Sequence, residues 1–151
     1  MYLSTKTYGH EVGLSCAFRQ WRANSHCNKL HGYALSFRFI FQAKELDSRN
    51  WVIDFGGLKG LKSSLEATFD HKTLVANDDP ELAIFKMMHN AGVADLVFAD
   101  KVGCEAFAQI AFILAKNWLA SKGETGRVSL LSCTVAEHDA NSAIYTEELN
   151  G

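Results

Sequence analysis

One segment constrains the fold more than any other, because apolar and polar side chains alternate along it. In residues 35–42, the side chains of Leu35, Phe37, Phe39 and Phe41 fall at every second position. A period of two is that of a β-strand, in which successive side chains point to opposite faces of the sheet. Large apolar side chains on one face must be covered by another layer. The sequence therefore predicts a strand here with one buried face.

Other periodic segments give the order of the elements around this strand. Alternation predicts further strands at residues 6–21, 127–137 and 142–149, and apolar residues at helical spacing predict helices at 56–69, 81–90 and 103–122. Residues 70–79 are predicted to form a polar loop. Two strands, then helices, then two strands predict an α+β domain with helices on one face of an antiparallel sheet. Such an open sheet has edge strands, which oligomerisation would cover.

Length and composition limit the classes of protein that the chain can belong to. A chain of 151 residues suits a single domain spanning residues 1–151. The formal net charge of -2 provides no basic patch, so we expect neither a nucleic acid nor a membrane as partner. The sequence shows no long apolar run and no signal-peptide motif, so we expect a cytoplasmic protein.

The stretch from Cys27 to Tyr33 gathers a thiol, an imidazole and a phenol within a short distance along the chain. Cys27 and His31 could form a nucleophile–base pair, since the thiolate is the reactive form and a neighbouring base activates it. They could equally be two ligands of a metal ion. A third interpretation is a turn with a buried cysteine and a hydrogen-bonded histidine. The residues alone leave all three open.

Three further positions carry groups that could take part in chemistry. The Asp70–His71 pair follows the first predicted helix, and a carboxylate beside an imidazole can orient it for proton transfer, although such a pair can also simply end a helix. Glu137 ends a predicted strand, where it is either solvated or able to accept paired N–H groups of a heterocycle. Glu105 lies at the start of the longest helix, a favourable position for any acidic residue.

Four motifs occur in a fixed order along the chain. They are Cys-x3-His-Gly, VIDFGGLK, FDHKTL and VAEHDANSAIY. Together they resemble the family of 6-pyruvoyl-tetrahydropterin synthases and bacterial 6-carboxytetrahydropterin synthases, over residues 12–145. The resemblance implies the tunnelling fold, or T-fold, a ββααββ unit whose sheets join into a trimeric barrel that is often stacked as a hexamer. We therefore expect a homotrimer or a homohexamer.

The resemblance also implies roles for individual residues. Cys27 matches the cysteine that acts in the family as a proton-transferring thiolate. Asp70 and His71 match the pair that supports this base. Glu137 matches the glutamate that anchors the pterin ring, and Glu105 matches a second glutamate of the pterin pocket.

The largest departure from the family lies at the metal site, which binds zinc through three histidines. The corresponding positions here are Cys16, His31 and Tyr33. One hypothesis is an altered zinc site in which Tyr33 or His26 completes the pair formed by Cys16 and His31. The other hypothesis is that no metal binds.

Without a metal, a basic side chain would have to meet the phosphates or the oxyanion of the substrate. The candidates are Arg22, Arg19 and Lys29.

The function that the resemblance implies is a pterin-processing lyase. Its substrate would be 7,8-dihydroneopterin triphosphate or a related pterin, in pterin or queuosine biosynthesis. The alternative is a divergent T-fold protein that binds a pterin-like or purine-like ligand without the zinc-dependent reaction. A structural oligomer that uses the fold alone is a third possibility, because a fold does not determine a function.

Overall fold

The computed structural model describes residues 1–147 of the chain, in which we find seven strands and three α-helices. The strands are β1 (Tyr2–Tyr8), β2 (Leu14–Phe18), β3 (His31–Ala43), β4 (Lys72–Ala76), β5 (Leu96–Ala99), β6 (Val128–His138) and β7 (Asn141–Tyr145). The helices are α1 (Lys59–Phe69), α2 (Leu82–Asn90) and α3 (Cys104–Ser121). The predicted strand at 142–149 corresponds to β7, and its last two residues, 148 and 149, lie outside the described residues.

All seven strands belong to one sheet, organised around the long strand β3. The sheet has the order β5-β4-β2-β3-β6-β7, and β1 also pairs with β3. β1 and β2 lie one after the other along the same edge of β3, with Tyr8 opposite Phe37 and Leu14 opposite Leu35. The pairs that involve β3, and the β6–β7 pair, are antiparallel. β4 is parallel to β2, and β5 is parallel to β4.

These two parallel strands correct the sequence prediction, which placed a polar loop at residues 70–79 and an entirely antiparallel sheet. Four residues of β4 in succession, Thr73 to Ala76, are buried. A parallel strand covered on both faces shows no alternation of polar and apolar residues, so its pattern cannot be told from that of a loop with a few apolar residues. The α+β prediction itself is confirmed.

The predicted strand at residues 6–21 is divided into β1 and β2. Between them lies a short 3₁₀ turn, His10–Val12, followed by Gly13 with a φ of 77°. This turn shifts the chain from one half of the β3 edge to the other.

The core lies between the sheet and the helices α1 and α3. The alternating side chains of β3 are completely buried there, as predicted. The ring of Phe69 on α1 lies 4.9 Å from that of Phe37 and 5.5 Å from that of Phe107 on α3. Phe107 in turn packs edge-on against Phe18, with centroids 5.0 Å apart. This chain of rings fixes the first turn of α3 beside the end of β2. No helix of residues 1–147 is long and apolar enough to cross a membrane.

Candidate active site at the start of helix α3

Three of the predicted site residues lie where β2 pairs with the beginning of β3. Cys16 is the direct partner of Tyr33, and Phe18 is the partner of His31. Cys16 lies on the buried face of β2, and the period of two places His31 and Tyr33 on the same face of β3 as the buried Leu35. All three side chains therefore face the helices.

Gly32, between His31 and Tyr33, allows the two strands to come this close. A Cβ atom at this position would lie 2.7 Å from the carbonyl oxygen of Cys16. The close packing of β2 against β3 therefore explains why a glycine stands at this position of the Cys-x3-His-Gly motif.

Glu137 and Cys104 lie near Tyr33 at the start of α3. Cys104 begins α3, and its thiol donates to the carbonyl of Val135 at 3.6 Å. Burial raises the pKa of Cys104 to about 12, and the negative charges of Glu137 and Glu105 act in the same direction. Glu137 and Glu105 are thus close enough to Cys104 for their charges to act on its thiol. Their roles in a pterin pocket stay a prediction.

The pKa of the Tyr33 hydroxyl is affected by some of the same charges. Burial raises the pKa of its hydroxyl, and the charges of Glu137 and of a Cys27 thiolate raise it further. His138, which the sequence reasoning did not place in the site, has its ring 6.2 Å from that of Tyr33. Glu137, Cys104 and Cys27 are thus near enough to Tyr33 for their charges to act on its hydroxyl.

Cys27 lies in the 3₁₀ turn His26–Asn28. Ser25 caps this turn by accepting a hydrogen bond from the amide of Cys27 at 3.3 Å. Of the four cysteines of the chain, Cys27 is the only one that is not buried. It is therefore the most accessible of the four thiols.

Asp70 and His71 form a hydrogen-bonded pair just after α1. His71 has a φ of 58° immediately after α1, and its side chain is 84% exposed. Its Nδ1 lies 2.8 Å from Oδ1 of Asp70. A carboxylate only accepts hydrogen bonds, so Nδ1 carries the proton and Nε2 is left free to accept one.

The structure does not bring this pair to Cys27 within one chain. The amide of His71 donates to the carbonyl of Ser15 at 2.7 Å, whereas the amide of Gln20 donates to the carbonyl of Cys27 at 2.9 Å. Ser15 and Gln20 lie near the two ends of β2, about 15 Å apart for an extended chain. The Asp70–His71 pair and the Cys27 thiol, at this distance, cannot exchange a proton directly.

The three positions that the resemblance assigns to zinc do not form a complete ligand set. His31 donates from Nδ1 to the carbonyl of Lys29 at 2.7 Å and keeps Nε2 free. Burial raises the pKa of the Cys16 thiol to about 12. In residues 1–147 no group of three His, Cys, Asp or Glu side chains could hold a metal ion, and His26 does not complete one. The donor set therefore does not fit a three-ligand zinc site.

Two of the three basic residues considered as substitutes for a metal are already paired with acids. Arg19 binds Asp79 through two hydrogen bonds. Arg22 binds Asp78 and lies over the ring of Trp21. Lys29 is exposed on the turn that follows Cys27.

Comparison with known proteins identifies the relatives of this fold. The family model for 6-pyruvoyl tetrahydropterin synthase matches residues 9–148. An uncharacterized protein from Wolinella succinogenes superposes with a TM-score of 0.80 at 18% identity, over 97% of this chain and 98% of that one. The 6-pyruvoyl tetrahydropterin synthase of Plasmodium falciparum gives a TM-score of 0.63 at 14% identity, over 99% of this chain and 100% of that one.

The Caenorhabditis elegans 6-pyruvoyl tetrahydropterin synthase gives a TM-score of 0.62 at 18% identity, over 97% of this chain and 94% of that one. At these identities the superpositions show a shared fold. No curated protein matches the sequence.

Proposed function

The chain belongs to the 6-pyruvoyl tetrahydropterin synthase family, and we propose that it is a lyase acting on 7,8-dihydroneopterin triphosphate or a related pterin. The observation that supports this proposal is the set of side chains near the start of α3, to which we assign the ligand pocket. Glu137 and Cys27 are close enough to Tyr33 for their charges to raise the pKa of its hydroxyl, so a carboxylate, a thiol and a phenol lie near one another. These are groups that can bind a pterin ring and move a proton on its side chain.

Glu137 is suited to hold the ring. Its carboxylate has no ion-pair partner within residues 1–147, and it is partly buried at the end of β6. A carboxylate in such a place requires hydrogen-bond donors. The ring amide and the exocyclic amino group of a pterin offer two parallel N–H donors, which match the two oxygens of a carboxylate. This pairing would orient the side chain of the ligand within the pocket.

Cys27 is suited to act as the base. As a thiolate it would remove a proton from a carbon of the substrate side chain and become the neutral thiol. The free Nε2 of His71 would accept or return this proton, while Asp70 keeps the imidazole in the required tautomer.

Because Cys27 and His71 lie at opposite ends of β2, we propose that the Asp70–His71 pair comes from a neighbouring copy of the chain. The site would then be completed only in an oligomer, which we expect to be a homotrimer or a homohexamer. The 84% exposure of the His71 side chain in the single chain is in keeping with a position that another copy covers.

A zinc ion bound at this pocket would polarise oxygens of the substrate side chain. The residues Cys16, His31 and Tyr33 do not fit such an ion, so we assign it no step. The Tyr33 hydroxyl can instead donate a hydrogen bond toward a ligand oxygen.

The same departure favours a second candidate function. A pocket that keeps the ring anchor but lacks a complete metal site could bind a pterin-like or purine-like ligand without converting it. The two candidates agree on Glu137 and differ on Cys27, so variants of these two residues distinguish them.

The test is an assay of the full chain with 7,8-dihydroneopterin triphosphate, with the pterin products identified by mass spectrometry. Cys27→Ala should abolish turnover and leave binding of the pterin largely intact. Glu137→Gln should weaken binding, whereas the matched variant Glu66→Gln, on the exposed face of α1, should not. Binding without turnover in the wild type would support the second candidate. A protein in which neither Cys27 nor Glu137 affects binding or turnover would contradict both.

A further inference from the structure

The turn that carries Cys27 is held by hydrogen bonds from the two residues that follow β2, Arg19 and Gln20. Arg19 is itself fixed by an ion pair with Asp79. Nε of Arg19 donates to Oδ2 of Asp79 at 2.9 Å, and Nη2 donates to Oδ1 at 2.7 Å. The side chains are only 19% and 2% exposed, respectively. A two-pronged pair at this depth is rigid, since both hydrogen bonds fix the plane of the guanidinium.

The third nitrogen of the same guanidinium binds the turn that carries Cys27. Nη1 of Arg19 donates to the carbonyl oxygen of Asn28 at 3.1 Å, at the residue directly after Cys27. Asp79 itself is fixed, because it accepts a hydrogen bond from the amide of Glu81 at 2.9 Å just before α2. The position of the turn is thus tied to the connection between β4 and α2.

Gln20 holds the same turn through a second hydrogen bond. Its amide donates to the carbonyl of Cys27 at 2.9 Å, and its side-chain Nε2 donates to the carbonyl of Val102 at 2.7 Å. The side chain lies against Gly103, where a Cβ atom would collide with the Gln20 amide and where φ is 114°. Gly103 is the N-cap of α3. Gln20 therefore connects the Cys27 turn to the first turn of α3.

We propose that Arg19 and Gln20 are positioning residues, which hold the Cys27 thiol at a fixed place relative to the start of α3. The proposal rests on the proposed function only in assigning proton transfer to Cys27. Proton transfer is sensitive to such placement, because a shift on the order of 1 Å can cost about a hundredfold in rate. Neither residue needs to touch the substrate.

The experiment measures the rate at which iodoacetamide alkylates each cysteine of the native full-length chain, resolved by peptide mass spectrometry and without any ligand. Cys27 is the only cysteine that is not buried, so the wild type should react there first. The buried Cys16, Cys104 and Cys133 report on general unfolding in the same sample. The first variant is Arg19→Lys, which keeps the positive charge beside Asp79 but loses the planar guanidinium and its set of hydrogen bonds. The second variant is Gln20→Ala.

The matched control is Arg22→Lys. Arg22 belongs to the same segment and also pairs with an aspartate, Asp78, but this pair is exposed and its guanidinium makes no hydrogen bond to the Cys27 turn. In this control the alkylation rate of Cys27 should equal that of the wild type.

In Arg19→Lys and Gln20→Ala, alkylation of Cys27 should accelerate about fivefold, the change in local opening that follows from losing one hydrogen bond worth about 1 kcal/mol. The buried cysteines should keep their wild-type rates. Unchanged alkylation of Cys27 in both variants would overturn the proposal. An equal acceleration at all four cysteines would also overturn it, because it would reveal a general loss of stability.

The result does not depend on turnover. If the wild type converted no pterin while the alkylation rates changed as described, the proposed function would fail and the positioning role would stand. In an active enzyme, the two variants should lower kcat and leave KM nearly unchanged, as expected for residues that place the base and not the ligand.

Discussion

Cys27 and His71 are held at opposite ends of one strand, because Gln20 binds the carbonyl of Cys27 and Ser15 binds the amide of His71. Their separation within one chain is therefore a property of the fold. The account that follows from it is an active site assembled from two copies of the chain.

This account predicts complementation between two inactive proteins. Cys27→Ala and His71→Ala should each lack turnover of the pterin substrate, because each removes one half of every site. Oligomers formed from a mixture of the two should regain activity, since some sites then combine an intact Cys27 with an intact His71. The measurement is turnover after the subunits have been dissociated and reassembled together.

The control for this prediction mixes Cys27→Ala with the double variant Cys27→Ala/His71→Ala, which cannot restore any site. Mixed oligomers that are verified by mass and still inactive would contradict assembly of the site across copies.

The metal-ligand positions give a second prediction. The double variant Cys16→His/Tyr33→His would place imidazoles at all three positions that the resemblance assigns to zinc. It should bind zinc near stoichiometrically, while the wild type binds clearly less under the same conditions, because catalytic zinc sites normally have three protein ligands. Zinc per chain is measured by elemental analysis after dialysis. A wild type that retains as much zinc as the double variant would contradict our assessment of its ligand set.

A third prediction concerns the stability of the buried Arg19–Asp79 pair. The hydrogen bonds from Arg19 hold the pKa of Asp79 below its usual value. Its contribution to stability is therefore complete above the pKa of an unfolded aspartate, about 3.9, and is lost as the pH falls through the lower folded value. Asp79→Asn should reduce the free energy of unfolding at pH 7 by about 3 kcal/mol, since the charge of Arg19 would then be left without its partner.

Below pH 4, a pH set by the pKa of about 3.9 for a free aspartate, the difference between Asp79→Asn and the wild type should narrow. Urea unfolding at a series of pH values measures it. The exposed Asp78→Asn serves as the control and should show a much smaller loss at pH 7. A difference that stays constant down to the lowest pH would refute the assigned role of the ion pair.

Sequence reasoning succeeded where a pattern is local. The alternation of Leu35 to Phe41 is sufficient to predict β3. It failed at β4, because a strand covered on both faces carries no period, and it did not predict β5, an edge strand of only 4 residues. It also could not identify Gln20, since the carbonyl that its side chain binds belongs to Val102, far away in the sequence. Which end of β2 receives Cys27 is likewise decided only by the folded sheet.

A fourth prediction compares two aromatic residues of α3. Phe107 is completely buried between Phe18 and Phe69, so Phe107→Ala should cost about 4 kcal/mol of stability. Trp118 is also buried, but its indole N–H has no hydrogen-bond partner within residues 1–147. Trp118→Phe removes this unsatisfied donor, which offsets part of the lost volume, and should cost less than about 1.5 kcal/mol. Equal losses for the two variants in urea unfolding would contradict this comparison.

The most direct test of the account is the affinity of the chain for a reduced pterin, measured by calorimetry for the wild type, Glu137→Gln and Glu66→Gln. We expect the wild type and Glu66→Gln to bind equally. Glu137→Gln should bind at least about tenfold more weakly, because a neutral amide cannot accept two N–H groups as a carboxylate does, which corresponds to ~1.4 kcal/mol or more. Equal binding by all three proteins would contradict the placement of the pterin ring at Glu137.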